Sequence, residues 1–334
     1  MKVGVRDISR KTGFSPATVS NALNHKRGVS KETADIILKA AHELGYQRQG
    51  RLNRIQFVIA RGTGRVLDES AFHPVVIEGV EREAKKHDLS TTYVTLDLPN
   101  PASKAQIREM CQDPTGAIIL LGTEMWEDDY EPFYNSAAPL VIVDGWCSRQ
   151  FMDSIVISNE SSAYNAVCHL IEKGHTRIGY LHGNPQIRNF PLRYRGFETA
   201  MAEHGLAVNK KYQLDVGTTL STAFADVNVW LDEGHDLPTA FFADNDVLAV
   251  GAIQALAKHG VRVPEDVSLI GFDDLNFASI SNPPLTTIRV PKQEIGELAV
   301  RRIIGQTSGE IGYTTVTHIS TTFVERESVA DIRS

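Results

Sequence analysis

Between Gly13 and Asn24 the chain reads GFSPATVSNALN. Thr18, Ser20, Asn21 and Asn24 are short side chains that donate and accept hydrogen bonds, and no acid interrupts them. A core helix would carry more Leu and Ile, and a solvated one more Glu and Lys. An outer face of this kind suits base edges and phosphates of a duplex. Far along the chain, Asp144 closes the apolar run PLVIVD and Asp273 follows VSLIGF. Carboxylates at strand ends can hold a small polar ligand, because polar groups buried with it must be paired.

Three short helices must position the first set. One runs roughly from Val5 to Thr12 and is ended by Gly13, a residue free to take positive φ. Ser15 caps a second helix with Pro16 at its first position, where the missing N–H costs nothing. Val19, Ala22 and Leu23 share one face of that helix. Ser30 caps a third, in which Ala34, Ile37, Leu38, Ala41 and Leu44 recur at helical spacing until Gly45. Two helices joined at a tight Gly turn, with a supporting third, form a helix-turn-helix unit. Pro16, Ala17 and Asn21 point outward. Asn21 is the best candidate base reader, since Asn can bond adenine twice. Thr18, Ser20 and Asn24 are expected at phosphates or as caps.

Charge supports this. The chain has 334 residues and a net charge of −7, yet residues 1–54 hold eleven Lys/Arg against four Asp/Glu, a net +7. The rest carries −14. A basic head on an acidic body is a footprint of nucleic-acid contact. Lys2, Arg6, Lys26 and Arg27 would set affinity through phosphates.

The body alternates strand-like runs (55–60, 91–96, 116–121, 139–144, 177–183, 239–244, 267–274) with amphipathic helices at 74–89, 162–175, 191–206 and 246–260. This predicts an α/β fold of parallel sheets covered on both faces. The set is too long for one sheet and divides near residue 157, giving two doubly wound lobes with a cleft between them. Ligands of such sheets bind beyond the carboxyl ends of the strands, where Asp144 and Asp273 stand. Phe72 and His73 begin a helix whose N-terminus faces the cleft, and Trp146 could stack on a sugar face. Asp246 and Asp274 read as caps.

The segments VRDISRKTGFSPATVSNALN and VSKETADIILKAAHELGY resemble the DNA-binding head of the lactose/galactose repressor family of bacterial transcription regulators. KGHTRIGYLHG, LRYRGFETAM, ADNDVLAVGAIQAL, GVRVPEDVSLIGFDD and NPPLTTI extend the resemblance over nearly the whole body. It implies lobes like those of periplasmic sugar-binding proteins, a homodimer reading a roughly palindromic operator in double-stranded DNA, and a small effector in the cleft, a sugar. Arg193 matches the family arginine that contacts the effector, and Asn245 the Asn of the family's Asn-Asp pair. Final strands after Pro284 would cross back to the first lobe and return. The domains are then 1–46 for the head, 47–55 for a short linker and 56–334 for the body. Lobe 1 is about 56–157 with 286–316, and lobe 2 about 158–285 with 317–334. Two departures stand out. The family carries a basic or long polar residue where Asn21 stands, which implies a changed operator. The joint YQRQGRLNRIQFVIA is too short for the family's hinge helix, lacks its Pro-Asn start, and offers Leu52 alone as a minor-groove wedge, out of place. Arg48, Arg51 and Arg54 suggest a linker that still follows phosphates.

Enzyme readings fare worse. The carboxylates at 244–246 and 273–274 have no His spaced to complete a metal site, and GxSxG, HExxH and a Walker-type loop are absent. ARGTGR (60–65) is only loosely like a phosphate loop and reads as a surface loop. Three cysteines (Cys111, Cys147, Cys168) without CxxC argue against disulfides or zinc. No cofactor and no metal are expected. No signal peptide or membrane span is legible, so a cytoplasmic regulator at the bacterial nucleoid is expected, with no membrane partner. The alternatives are a sugar-binding module without DNA function, or a regulator with a non-sugar effector such as a purine.

Overall fold

The computed structural model describes residues 4–23, 29–44, 52–67, 71–113, 115–308 and 311–333. The head is α1 (Val5–Thr12), α2 (Pro16–Leu23) and α3 (Lys31–Glu43). Gly13 sits at φ 75 and donates its N–H to Ser9 O at 2.9 Å, closing α1. Ser15 Oγ accepts from Thr18 N at 3.1 Å, and Ser30 Oγ from Thr33 N at 3.2 Å, so both serines cap as expected. Ile8, Val19, Ala22, Leu23, Ile37, Ala40 and Ala41 form the small core. Lys11 bonds Glu43 at 2.7 Å and ties α1 to α3. Gly45 lies outside the described residues.

Lobe 1 contains β1 (Arg54–Arg61), α4 (Phe72–Lys86), β2 (Ser90–Asp97), α5 (Ala102–Gln112), β3 (Gly116–Leu121), β4 (Leu140–Val143) and β5 (Ser154–Ile157). Lobe 2 follows with α6 (Asn159–Glu172), β6 (Ile178–Asn184), α7 (Phe190–Glu203), β7 (Gln213–Gly217), α8 (Leu220–Asp232), β8 (Ala240–Ala243), α9 (Asp246–Lys258) and β9 (Ser268–Ile270). Then come β10 (Thr287–Arg289), α10 (Lys292–Ser308), β11 (Val316–Ile319) and β12 (Thr322–Val324). The lobe 1 sheet has the order β11-β5-β4-β3-β1-β2 and the lobe 2 sheet β7-β6-β8-β9. Every pairing in both is parallel. The central strands β3, β4 and β5 are buried along their whole length, as continuous apolar runs in a covered parallel sheet should be.

The chain crosses between lobes three times. The first crossing follows β5. After β9 the chain stays on lobe 2, where Thr286 bridges Ile270 and Arg289 bridges Asp273. It then enters lobe 1 as α10 and β11, and returns as β12, which pairs antiparallel with β10. The second and third crossings therefore fall after β10 and after β11, against expected divisions at 286 and at 316–317. In lobe 1, α4 packs directly on α10. A Cβ on Gly79 would collide with Gln293 O, and one on Gly296 with Val76 O, so the helices approach through their glycines. Glu83 reinforces this crossing: its carboxylate accepts from Arg301 Nε at 2.7 Å.

Candidate functional site

The strand ends converge as the sequence suggested. Asp144 follows β4 at φ 55, and Asp273 follows β9 at φ 102. Short polar Asp is among the few residues that tolerate this region. Both are more than nine-tenths buried. Arg193, on the first turn of α7, reaches across the carboxyl ends of the lobe 2 strands. Its Nη2 donates to Asp273 Oδ1 at 3.2 Å, its Nε to Asn159 Oδ1 at 2.9 Å, and its Nη1 to Asp244 O. The guanidinium lies 3.7 Å from the Phe272 ring centroid. Asn159 Nδ2 donates to Asn189 Oδ1 at 3.0 Å, and Asn189 Nδ2 to Asp144 Oδ1 at 2.8 Å. Thr123 Oγ1 donates to Asp144 Oδ2 at 2.6 Å. One buried chain of hydrogen bonds thus runs from lobe 1 (Thr123, Asp144) through Asn189 and Asn159 to Arg193 and Asp273 in lobe 2.

Carboxylates outnumber cations here. Asp244 is wholly buried, accepts from Gly183 N at 2.8 Å and from Tyr180 OH, and burial pushes its pKa up to about 7. Burial likewise pushes Asp144 up to about 6, against the hydrogen bond from Thr123 and the charge of Arg193. Asp273 is raised by burial and drawn back by Arg193 and Lys292. Lys292, whose own pKa burial lowers, donates to the carbonyls of Asp273 and Asp274. Asp246 accepts from Leu275 N and Thr287 Oγ1, and Asp274 pairs with Arg326 and Arg289, so both do structural work. An acceptor-rich, partly protonatable site favours a ligand rich in O–H or N–H donors.

The other cleft candidates fall differently. Asn245 is the N-cap of α9: its Oδ1 accepts from Leu248 N at 3.1 Å, so its amide N–H2 is the group most available to a ligand. Phe72 is buried at the start of α4, with Lys292 Nζ 6.0 Å from its ring, and His73 beside it is half-buried. One face of Trp146 is taken: the Arg188 guanidinium lies 4.0 Å from the ring centroid and bonds Glu127 at 2.9 Å. Thr123, Asn159, Asn189, Asp244, Arg188 and Lys292 were not assigned from sequence. Only the polar run NES at the start of α6 and QIRN before α7 hinted at the two asparagines.

On the head, Arg6, Ser15, Pro16 and Ala17 are exposed, while Thr18, Ser20 and Asn21 are half-buried beside the inward Val19, Ala22 and Leu23. The Thr18 hydroxyl lies 2.8 Å from that of Ser15, so it belongs to the cap. Asn24, Lys26, Arg27, Arg48 and Arg51 lie outside the described residues. Leu52 packs against the body core rather than standing free. Arg54 does not track phosphates as expected: it opens β1, and its Nη2 pairs with Asp113 Oδ2 at 2.6 Å.

Among the described residues no group of three or more His, Cys, Asp or Glu could hold a metal, and no helix is long and apolar enough to cross a membrane. A three-helix DNA-reading head joined to a two-lobed ligand-binding body defines a class of ligand-responsive DNA-binding regulators.

Residues 5–49 match the family of bacterial regulatory proteins named for lacI, and residues 167–329 match the periplasmic binding protein-like domain. The HTH-type transcriptional repressor PurR of Haemophilus influenzae (strain ATCC 51907 / DSM 11121 / KW20 / Rd) is 30% identical over 98% of this chain and 99% of its own. Its namesake in Photobacterium profundum is 28% identical over the same shares. The chain therefore belongs to the lacI family and is a DNA-binding transcriptional repressor. Among solved structures, the transcriptional regulator CelR in complex with cellobiose aligns with TM-score 0.73 at 23% identity, over 98% of this chain and 100% of that one. The lac repressor dimer bound to operator and the anti-inducer ONPF aligns with TM-score 0.72 at 22% identity, over 99% and 100%. The relatives and fold neighbours are transcription regulators, not enzymes.

Proposed function

We propose that this repressor binds a small, donor-rich effector, a sugar, between its lobes, and that binding changes how lobe 1 carries the heads of a homodimer on a palindromic operator. The observation that carries the reading is the buried chain Thr123–Asp144–Asn189–Asn159–Arg193–Asp273, because it draws on both lobes. Asp144, Arg193 and Asp273 are its ligand-contacting members, with Phe72, His73, Trp146 and the amide N–H2 of Asn245 at the margin. A ligand that exchanges hydrogen bonds with this chain binds one lobe arrangement better than another, which is what a switch requires. On the head, Asn21 reads a base beside Pro16 and Ala17. Arg6 and Ser20, with Asn24, Lys26, Arg27 and Arg51, follow phosphates, and Ser15 and Thr18 meet the DNA through the cap they form. The protein works on DNA in the cytoplasm.

A purine is the second reading. Arg188 takes one face of Trp146 and leaves a single face for stacking, while the carboxylates and Arg193 offer the acceptors and donors that a base edge can pair with. The deciding experiment is a thermal-shift panel of sugars, sugar phosphates and nucleobases on the wild type and on Arg193→Ala. A ligand at about 100 times its dissociation constant stabilises by about 2.7 kcal/mol. A hit lost in Arg193→Ala supports the cleft, and the class of the hit decides between the readings. A hit fully retained in the variant refutes the assignment.

A further inference from the structure

Of ARGTGR (60–65), read as a surface loop, Thr63 and Arg65 are exposed but Gly64 is buried, and so are Val66 and Leu67, which follow it. The backbone of this loop, residues 61–67, is wrapped around one carboxylate. Glu124 Oε2 accepts from the N–H groups of Gly62 at 2.9 Å, Thr63 at 3.0 Å and Gly64 at 2.7 Å. Its Oε1 accepts from Val66 N at 2.9 Å and Leu67 N at 3.2 Å. Successive N–H groups turned to one point make an anion-binding nest, and here the chain supplies its own anion. Glu124 is 5% exposed. Gly64 takes φ 75 to make the turn, and a Cβ on Gly62 would stand 3.0 Å from Glu124 O, so two glycines shape the cradle.

The loop is also where lobe 1 meets lobe 2. Val66 packs with Ile187 and Phe190 in a separate apolar cluster. Arg65 O accepts from Thr218 Oγ1 at 3.4 Å. Phe190 begins α7, three residues before Arg193, and Thr123, whose hydroxyl bonds Asp144, immediately precedes Glu124. The nest thus connects the effector network's lobe 1 end to the helix that carries its lobe 2 end.

We propose that Glu124 is a positioning residue for lobe pairing: its carboxylate holds the 61–67 loop in the one shape that seats Val66 against Ile187 and Phe190. The proposal rests on the preceding reading only in taking lobe pairing as what an effector controls. No other element of the loop can replace the charge, because five N–H donors facing a cavity without an acceptor are costly to leave unpaired.

The test is amide hydrogen exchange of the full-length protein without effector, comparing wild type, Glu124→Ala and Glu124→Gln, with sodium formate or sodium chloride at equal ionic strength. Alanine leaves a carboxylate-sized space that formate can refill. Glutamine fills the space, removes the charge and turns an N–H2 toward the donors. Glu124→Ala should speed exchange by about ten-fold or more at residues 62–67, and also at the amides of Phe190, Leu192 and Arg193 in the first turn of α7. Formate should reverse both and chloride neither. Glu124→Gln should show the same loss without rescue. Unchanged exchange, a loss confined to 62–67, or rescue by chloride as good as by formate would each overturn the proposal. A cleft that bound no small molecule would leave all these outcomes as they are, so the two readings fail separately.

Discussion

Replacing Arg193 with Ala removes the one guanidinium that faces Asp273 from α7. Three hydrogen bonds go with it, to Asn159, Asp244 O and Asp273, together with the stacking on Phe272. Breaking one side of a buried ion pair costs about 3–5 kcal/mol, since the remaining charge is left without compensation. Two features reduce that here. Lys292 still lies close enough to lower the Asp273 pKa, and burial already raises it, so the orphaned carboxyl can take up a proton. The expected loss is about 3 kcal/mol where Asp273 is ionised, and it shrinks toward acid pH as protonation replaces the missing cation. The sign follows from the direction of the shift. A carboxyl whose folded pKa is raised binds its proton more tightly folded than unfolded, so acid favours the folded variant, and more so once Arg193 is gone. Thermal melts of wild type and variant from pH 5 to pH 8, run alongside operator-binding titrations, measure this directly. The gap in melting temperature should widen with pH while operator affinity stays unchanged. A gap that is small and constant across the range would refute the claim that Arg193 neutralises a buried Asp273.

Asn21→Ala should lose about 1–3 kcal/mol of discrimination at one base pair of each half-site in operator titrations; a loss spread evenly over all sequences would remove Asn21 from the reader role. Gly79→Ala should push α4 from α10 and cost about 1–3 kcal/mol in chemical denaturation; a neutral result would mean the crossing is looser than described. Asp144, at about 6, and Asp244, at about 7, both sit above the usual carboxylate range through burial, so wild-type stability should fall as pH rises through this window. Asp144→Asn can keep both partners, accepting from Asn189 and donating to Thr123, and should flatten that slope near pH 6 in melts; an unaltered slope would show that Asp144 does not titrate there.

The head was legible because its signals are local. Gly13, Ser15-Pro16 and Ser30 each mark a helix end by chemistry that needs no tertiary partner, and the structure uses all three. The long apolar strands were legible for the same reason. SIVI (β5) and QLDVG (β7) were missed because one is a four-residue run that opens on a serine buried only by the fold, and the other is an edge strand with a weak alternating pattern. In the cleft, Asp144 and Asp273 could be placed from strand ends alone. Asn159 and Asn189 could not, since an asparagine in a polar run looks like any solvated turn residue until the far lobe buries it. Glu124 is the extreme case: its donors come from 57–62 residues earlier in the chain, and nothing around it announces them. Arg54 misled for the opposite reason. Its neighbours are basic, and only the fold brings Asp113 within reach.

The three crossings have a mechanical consequence. The head leads into lobe 1, and the chain ends on lobe 2, where Ile332 N bonds Lys173 O at 2.9 Å and His175 Nε2 lies 3.1 Å from Ala330 O. Three tethers side by side, two of them braced by the β10–β12 pair, behave as a strap rather than a string. A single tether would let the lobes swivel and twist independently. A strap permits rotation about the line joining its strands and resists the other motions, the geometry of a door on several pins. Of the relative motions of the two lobes, that leaves one angle as the freest, the opening of the cleft.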